Sequence, residues 1–406
     1  MQLDLRYGNG ASLGLEIDDT ALVADYSQPR VANLPDPGAE TLLALASPLE
    51  FPSLDQAVTP GDMVTIAIGG GVPRAAALVR PIVDLLLRCG VSADSIVVLR
   101  SPANVQRGAE DPCAELPPEV RGAVQSLIHD PNDRSSLAYL AATADARPIY
   151  LNRALCDADL VIPIAAAQSG PADGAYGGGL YPTFSNQETQ KRYRNPLLRD
   201  ADSEVAARAR SEANEVAWLL GLLFAIQVAP GADAGIAAVL AGSYESVCRR
   251  ARELSLEIWD WPIERRASLV VAAVDGGAPE QTWENIGRAL AAANRAVVDE
   301  GAIAIVSDLA GDPGLAIQML AEIEDRRAAL AEIKKQRPDD LVPAIQLAKA
   351  AARAQVYLLS HLDEALVERL GLARVDEAQD VARLARRHRS CTVLGSAQHG
   401  MPRVAD

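Results

Sequence analysis

Between Met63 and Arg100 the chain spells out a strand, a glycine break, a helix and a second strand, and this unit limits the folds open to it. "MVTIAI" (63–68) is β-branched and apolar, and Gly69–Gly71 end it. A helical pattern from about Arg80 to Arg88 puts Ile82, Leu85 and Leu86 on one face; Pro81 suits its first turn and Gly90 its stop. "SIVVLR" (95–100) then reads as a strand again. Two strands joined through a helix cannot form a hairpin, so the unit predicts a parallel pair with a right-handed crossover.

The alternation recurs. "ADLVIPIA" (158–165) is a buried-type strand, and a second region opens near Ala267. There "SLVVAAV" (268–274) is a strand and "GGAP" (276–279) a turn. A helix striped by Trp283, Ile286, Leu290 and Val297 follows, then the strand "AIAIVSD" (302–308). The end reads as a helix at about 315–335, "AQVYLLS" (354–360), helices near 363–370 and 376–388, and "CTVLG" (391–395). The fold class is therefore α/β in two domains, 1–260 and 261–406, each with a mostly parallel sheet flanked by helices. Open parallel sheets bind ligands beyond the carboxyl ends of their strands. The domains are thus expected to face across a cleft rimmed by Ile68, Arg100 and Ile164, with Ala278–Arg288 opposite.

Two segments read as hairpins. Leu3 and Leu5, then Leu13, Leu15 and Ile17, alternate around Gly8-Asn9-Gly10, and 222–242 turns at Pro230-Gly231. Ser243 is a plausible N-cap for the next helix, and the Pro-rich stretch Pro29–Pro60 is expected to wrap the surface. The most apolar run, Ala217–Val228, is too short for a bilayer span of ~20 residues and reads as core.

With 49% hydrophobic and 23% charged residues, the 406-residue chain can bury a sizeable core, which excludes a mainly disordered chain. Its 38 basic and 54 acidic residues leave a net charge of −16, which argues against a nucleic-acid surface. Five scattered cysteines without a CxxC pair, and no apolar signal segment at Met1, suggest free thiols in the cytoplasm and no membrane association.

Chemistry is sparse. The loop "IGGGVPR" (68–74) lies between strand and helix, where backbone amides and a helix N-terminus favour an anion. Its spacing is neither the dinucleotide fingerprint nor the P-loop, so a tight turn and a ligand loop both stay open. "GAYGGGLYPTFSN" (174–186) is open between a backbone lying against a ligand and a surface loop. His129, His361, His388 and His399 lack metal-ligand spacing, so no metal site is expected; His129 reads as a structural strand-end residue. Cys156 reads as a small buried residue, and no nucleophile elbow occurs.

Several segments, in order over most of the chain, resemble the nickel-pincer-nucleotide lactate racemase (LarA) family of 2-hydroxyacid racemases and epimerases. They are "LRYGNGASLGLEI", "VTIAIGGGVPRAAALVRPIVDLLLRCGV", "IHDPNDRSSLAYLAATADARPIYLNRALCDADLVIPIA", "GAYGGGLYP" and "DGGAPEQTWENIGRALAAANRAVVDEGAIAIV". Each motif is weak alone; their order and spacing carry the resemblance. It implies a two-domain fold and, in the family, a nickel-bearing pyridinium nucleotide. That group is joined to a lysine and ligated by a histidine, and two further histidines move the proton.

Residue by residue, that chemistry does not carry over. The family's loop aspartate and arginine fall on Gly69 and Val72, within the stretch Gly69, Gly70, Gly71, Val72 and Arg74. The first catalytic histidine falls on Asn104 and the second on Pro171. The anchoring lysine falls on Tyr181, with Tyr176, Gly177, Gly178 and Gly179 on the family's Phe-Ser-Gly-Gly. The nickel-ligand histidine falls near Pro196, and Gln-x-x-Lys falls on Asn285 and Arg288; Lys191 is a conceivable displaced anchor. Racemisation needs a base on each face of the α-carbon, and neither asparagine nor proline serves. The expectation is a LarA-like protein without nickel-pincer lactate racemase activity and with no resident cofactor, binding a nucleotide or small anion in the cleft. A divergent racemase or epimerase using other residues, and a non-catalytic interaction or regulatory remnant, are the alternatives.

Overall fold

The structure is a computed structural model that describes residues 1–143, 145–167, 179–195 and 203–405. Two six-stranded sheets organise it. The first runs in the order Ile236–Ser243, Phe224–Pro230, Leu160–Ala166, Val64–Ile68, Ile96–Arg100, Gln125–Ile128. Only Ile236–Ser243 is antiparallel to its neighbour. The second sheet is wholly parallel: Ala373–Val375, Gln355–Leu359, Val297–Val306, Ala267–Ala273, Cys391–Leu394, Leu22–Tyr26. The α/β expectation holds, and so do both hairpins: Gln2–Tyr7 pairs with Ala11–Glu16, and Phe224–Pro230 with Ile236–Ser243. Among the described residues no helix is long and apolar enough to cross a membrane.

Sheet membership does not follow chain order. The opening hairpin buries Leu3, Leu5, Leu13, Leu15 and Ile17 against Leu269, Val271 and Ala273 of the second sheet. Leu22–Tyr26 extends that sheet as its edge, and Tyr26 stacks on Trp261 at 5.0 Å. Thus the first 26 residues, grouped by sequence with residues 1–260, pack with the second sheet instead. The apolar face of a two-stranded hairpin needs a partner, and the second sheet offers one.

Several helices differ from the sequence reading. The first crossover helix runs Ala75–Arg88, so Pro81 lies inside it rather than in its first turn. The Ala77 carbonyl thereby loses its usual partner. The expected 315–335 helix is two, Leu315–Glu322 and Arg326–Gln336, because Asp325 caps the second by accepting from the Arg327 and Ala328 amides. Helices Glu204–Leu219 and Leu341–Arg353 were not anticipated, and the Pro-rich stretch contains helix Pro37–Ala46, capped by Asp36. The run Ala217–Val228 divides between the end of one helix, a turn at Gly221 and the strand Phe224–Pro230.

In the first sheet the strand order reverses between Val64–Ile68 and Leu160–Ala166, and in the second between Ala267–Ala273 and Cys391–Leu394. Such reversals open crevices at strand carboxyl ends. The two carboxyl edges face each other. Beyond Phe224–Pro230, the Asp233 amide donates to Asp275 Oδ2 at 2.8 Å, just past Ala267–Ala273. Asp275 is buried and also accepts from Ser396 Oγ at 2.6 Å and Gln398 Nε2 at 2.7 Å, which anchors this contact between the units.

Candidate functional site

A cavity of 160 Å³ lies between the facing edges. Ile68, Val72, Pro73, Arg74, Arg100 and Asn104 line it from the first unit, and Gly277, Pro279 and Glu280 from the second. It is where the strand directions predict a ligand crevice.

The glycine loop on its wall is held by Asn104. Asn104 is buried on the short helix Pro102–Gln106. Its Nδ2 donates to the Gly69 carbonyl at 2.9 Å, and its Oδ1 accepts from the Gly71 amide at 3.1 Å. Gly71 has φ +72°, a conformation that suits glycine, and a Cβ there would lie 3.6 Å from Arg107 Nη1. The described end of the second glycine loop meets the first. A Cβ on Gly69 would lie 3.7 Å from the Gly179 carbonyl, and one on Gly179 (φ +85°) would strike Ala165 Cβ at 2.7 Å. Pro171, Tyr176, Gly177, Gly178 and Pro196 lie outside the described residues.

Two guanidinium groups on the cavity wall lack close partners. Arg74 begins helix Ala75–Arg88 with φ 47° and no side-chain cap, is exposed, and its guanidinium makes no hydrogen bond or ion pair among the described residues. The Arg100 side chain is 13% exposed, yet its nearest acceptors are Asp111 Oδ1 at 3.8 Å and the Ala109 and Glu110 carbonyls at 3.5 Å. These distances are at or beyond the limit of useful hydrogen bonds. Glu110 and Glu280 partly offset the two cations, and Glu280 Oε2 is engaged by Asn285 Nδ2 at 2.8 Å.

A third guanidinium reaches across. Arg107 Nη2 donates to Glu284 Oε2 at 3.3 Å, on helix Trp283–Ala296 of the second unit, and Arg288 Nη2 donates to Glu284 Oε1 at 2.9 Å. That helix is capped by Thr282. Arg107, Glu284 and Arg100's long contacts were not anticipated. A signal for the first two exists in retrospect: each lies within one helical turn of a position aligned to the family's site, Asn104 and Arg288.

The remaining expected residues have structural roles. Tyr181 is buried among Phe184, Leu151 and Val216, not on the cavity. Its hydroxyl donates to Glu212 Oε1 at 2.5 Å and accepts from Arg192 Nη2 at 3.1 Å. Burial first, and Glu212 second, push its acid dissociation well above the ordinary range for tyrosine. Asn285 is buried and tied to Glu280. Lys191 is exposed on the seven-residue helix Gln187–Tyr193. His129 is buried where the sequence suggested a structural residue: Nε2 meets the Ser185 carbonyl at 2.9 Å and Nδ1 meets Asn152 Nδ2 at 3.1 Å. Burial lowers its pKa, which keeps the ring neutral. No cluster of three or more His, Cys, Asp or Glu able to hold a metal occurs among the described residues.

Fold and cleft together define a two-unit α/β protein whose parallel sheets present their carboxyl edges to one shared crevice. Residues 7–183 match the lactate racemase N-terminal domain family. The solved lactate racemase apoprotein from Thermoanaerobacterium thermosaccharolyticum superposes with a TM-score of 0.78 at 16% identity, over 99% of this chain and 100% of that one. A protein from Thermotoga maritima, solved by structural genomics, superposes with a TM-score of 0.67 at 13% identity, over 92% of this chain and 100% of that one. No curated protein sequence matches. The chain thus resembles the lactate racemase family through residues 7–183 and shares the lactate racemase fold over its length.

Proposed function

We propose that this protein uses the lactate-racemase architecture to bind a small anionic ligand, carboxylate- or phosphate-bearing, in the cleft between its sheets. We also propose that it does not carry out the family's nickel-pincer racemisation. The observation that carries the first part is the pair Arg74 and Arg100 on the cavity wall without close partners. A largely covered guanidinium such as that of Arg100 gains most from a charge-assisted, bidentate acceptor, which carboxylate and phosphate supply, and the exposed Arg74 adds positive charge beside it. Amides at the start of the 14-residue helix Ala75–Arg88 add favourable partial charge.

The second part rests on how the family's functional positions are occupied. Asn104 spends both polar atoms on the glycine loop, so nothing there accepts a proton from a substrate. Tyr181 is embedded in a hydrogen-bonded triad with Glu212 and Arg192 and has no amine to form a link. A lysine-anchored, histidine-ligated nickel nucleotide is a poor fit to these residues. Both His129 nitrogens are engaged, and 168–178 and 196–202 contain neither histidine nor lysine. The cleft residues orient an anion, and no chemical step passes through a nickel nucleotide.

The test is a thermal-shift screen of phosphorylated sugars, nucleotides and 2-hydroxyacids, with calorimetry of hits on wild type and Arg100→Ala. Loss of one charge-assisted hydrogen bond, ~1.5–3 kcal/mol, predicts roughly ten- to hundredfold weaker binding by the variant. A screen with no anionic hit, or equal affinity in both proteins, ends this reading.

A further inference from the structure

Arg107 and Arg288 approach one point from opposite sides of the cleft, and what lies between them is a side chain of the protein itself. Each donates to a different oxygen of the Glu284 carboxylate. The burial pattern is unusual for an ion pair. The two guanidinium groups are 12% and 16% exposed, whereas the carboxylate they share is 43% exposed. Two largely covered cations thus share an anion that solvent can reach. The arrangement adjoins the proposed ligand cavity. Arg107 Nη1 lies over Gly71, 3.6 Å from where a Cβ would stand, and Glu284 follows the cavity-lining Glu280 by four residues.

We infer that Arg107 and Arg288 form a second anion-binding point in the cleft, specific for a carboxylate or phosphate group, and that Glu284 occupies it as an internal competitor when no ligand is bound. The inference rests on the reading of the cleft as an anion site. A ligand carboxylate presents the same two acceptor oxygens to the same two donors. On its arrival Glu284, already half in solvent, swings outward, and the bridge between the units passes through the ligand. Arg107 comes from the first unit and Arg288 from the second, so an anion bound here joins both. A ligand affinity measured on the wild type is then the intrinsic affinity reduced by the fraction of molecules in which Glu284 is in place.

The experiment titrates inorganic phosphate and L-lactate calorimetrically into wild type, Glu284→Gln, Arg107→Ala, Arg288→Ala and Arg100→Ala, with circular dichroism as the folding control. Glu284→Gln keeps size and exposure while removing the competing charge. It is expected to bind the better probe roughly tenfold or more tightly than wild type, and Arg107→Ala and Arg288→Ala roughly tenfold or more weakly. If a probe binds wild type and is weakened by Arg100→Ala, but Glu284→Gln binds it no more tightly, the inference is overturned and the cleft reading survives. If neither probe binds wild type or Glu284→Gln, both are overturned.

Discussion

Replacing Asn104 by alanine removes the clamp that shapes the cleft wall, and the cost can be worked from its geometry. The amide makes two hydrogen bonds, 2.9 Å to the Gly69 carbonyl and 3.1 Å from the Gly71 amide. Gly69 is buried and Gly71 half-buried, so the two backbone groups freed by the change are only partly reached by water. An unsatisfied buried group costs ~1–3 kcal/mol; taking the lower half of that range for a site beside a cavity, the two together come to about 2–4 kcal/mol. Asn104→His is expected to fare no better. An asparagine carries donor and acceptor on one carbon and faces both loop atoms at once, whereas the imidazole nitrogens point apart and can satisfy only one. A histidine at this position therefore loosens the loop. The assay is urea denaturation for the global effect and hydrogen exchange of a peptide covering Gly69–Val72 for the local one. Exchange at the Gly71 amide should rise sharply in both variants. Unchanged protection there, with stability within about 0.5 kcal/mol of wild type, the scatter expected of neutral surface changes, would refute the clamp.

Three further expectations follow from the same contacts. Tyr181→Phe deletes a hydrogen bond to a charged carboxylate and should lower stability by ~1.5–3 kcal/mol in denaturant, and a loss under 0.5 kcal/mol would show that the Glu212–Arg192 pair needs no phenol. Burial depresses the folded-state pKa of His129, and of His388, below the ordinary histidine value of 6.5, so the unfolded chain binds more protons below that pH. Their stabilising contribution is complete above pH ~6.5 and is lost as pH falls toward the depressed values, so Tm should drop on acidification. His129→Gln should flatten that slope, and an unaltered slope would exclude His129 as its source. Gly287→Ala places a Cβ 2.7 Å from Pro343 Cα where helices Trp283–Ala296 and Leu341–Arg353 pack. The overpacking, ~1–3 kcal/mol, should outweigh the gain in helix propensity and appear as a lower denaturation midpoint; an unchanged or raised midpoint would mean the helices separate freely.

What was readable in the sequence was what short-range pattern controls. The strands Val64–Ile68, Ile96–Arg100 and Ala267–Ala273 are mostly apolar, each with one polar residue, and the hairpins carry glycine at their turns. The place of the cleft followed from strand direction alone. Helix Leu341–Arg353 was missed because Pro343 and the alanine-rich "AKAAAR" blur its stripe, and its helical state is settled by packing on Trp283–Ala296. The home of the opening hairpin was unreadable because pairing and burial across more than 250 residues leave no local mark. At the site, Gly69–Gly71, Arg74, Asn104 and Arg288 were singled out, but their roles were not. That Asn104 is a clamp and Tyr181 a core residue depends on partners at Gly69, Gly71, Glu212 and Arg192 that only the fold brings near. Arg107 and Glu284 carry no motif; each gains meaning from the other across the cleft.

The central claim is that the positions the family uses for its nickel nucleotide are filled here by residues with structural work, leaving an anion-binding cleft. The most direct measurement is the intact mass and nickel content of the purified protein after coexpression with the enzymes that make and insert that cofactor. The account predicts the mass of the unmodified chain and no stoichiometric nickel. A covalent nucleotide adduct accompanied by stoichiometric nickel would contradict it, and would direct attention to Lys191, the one lysine of the first 260 residues.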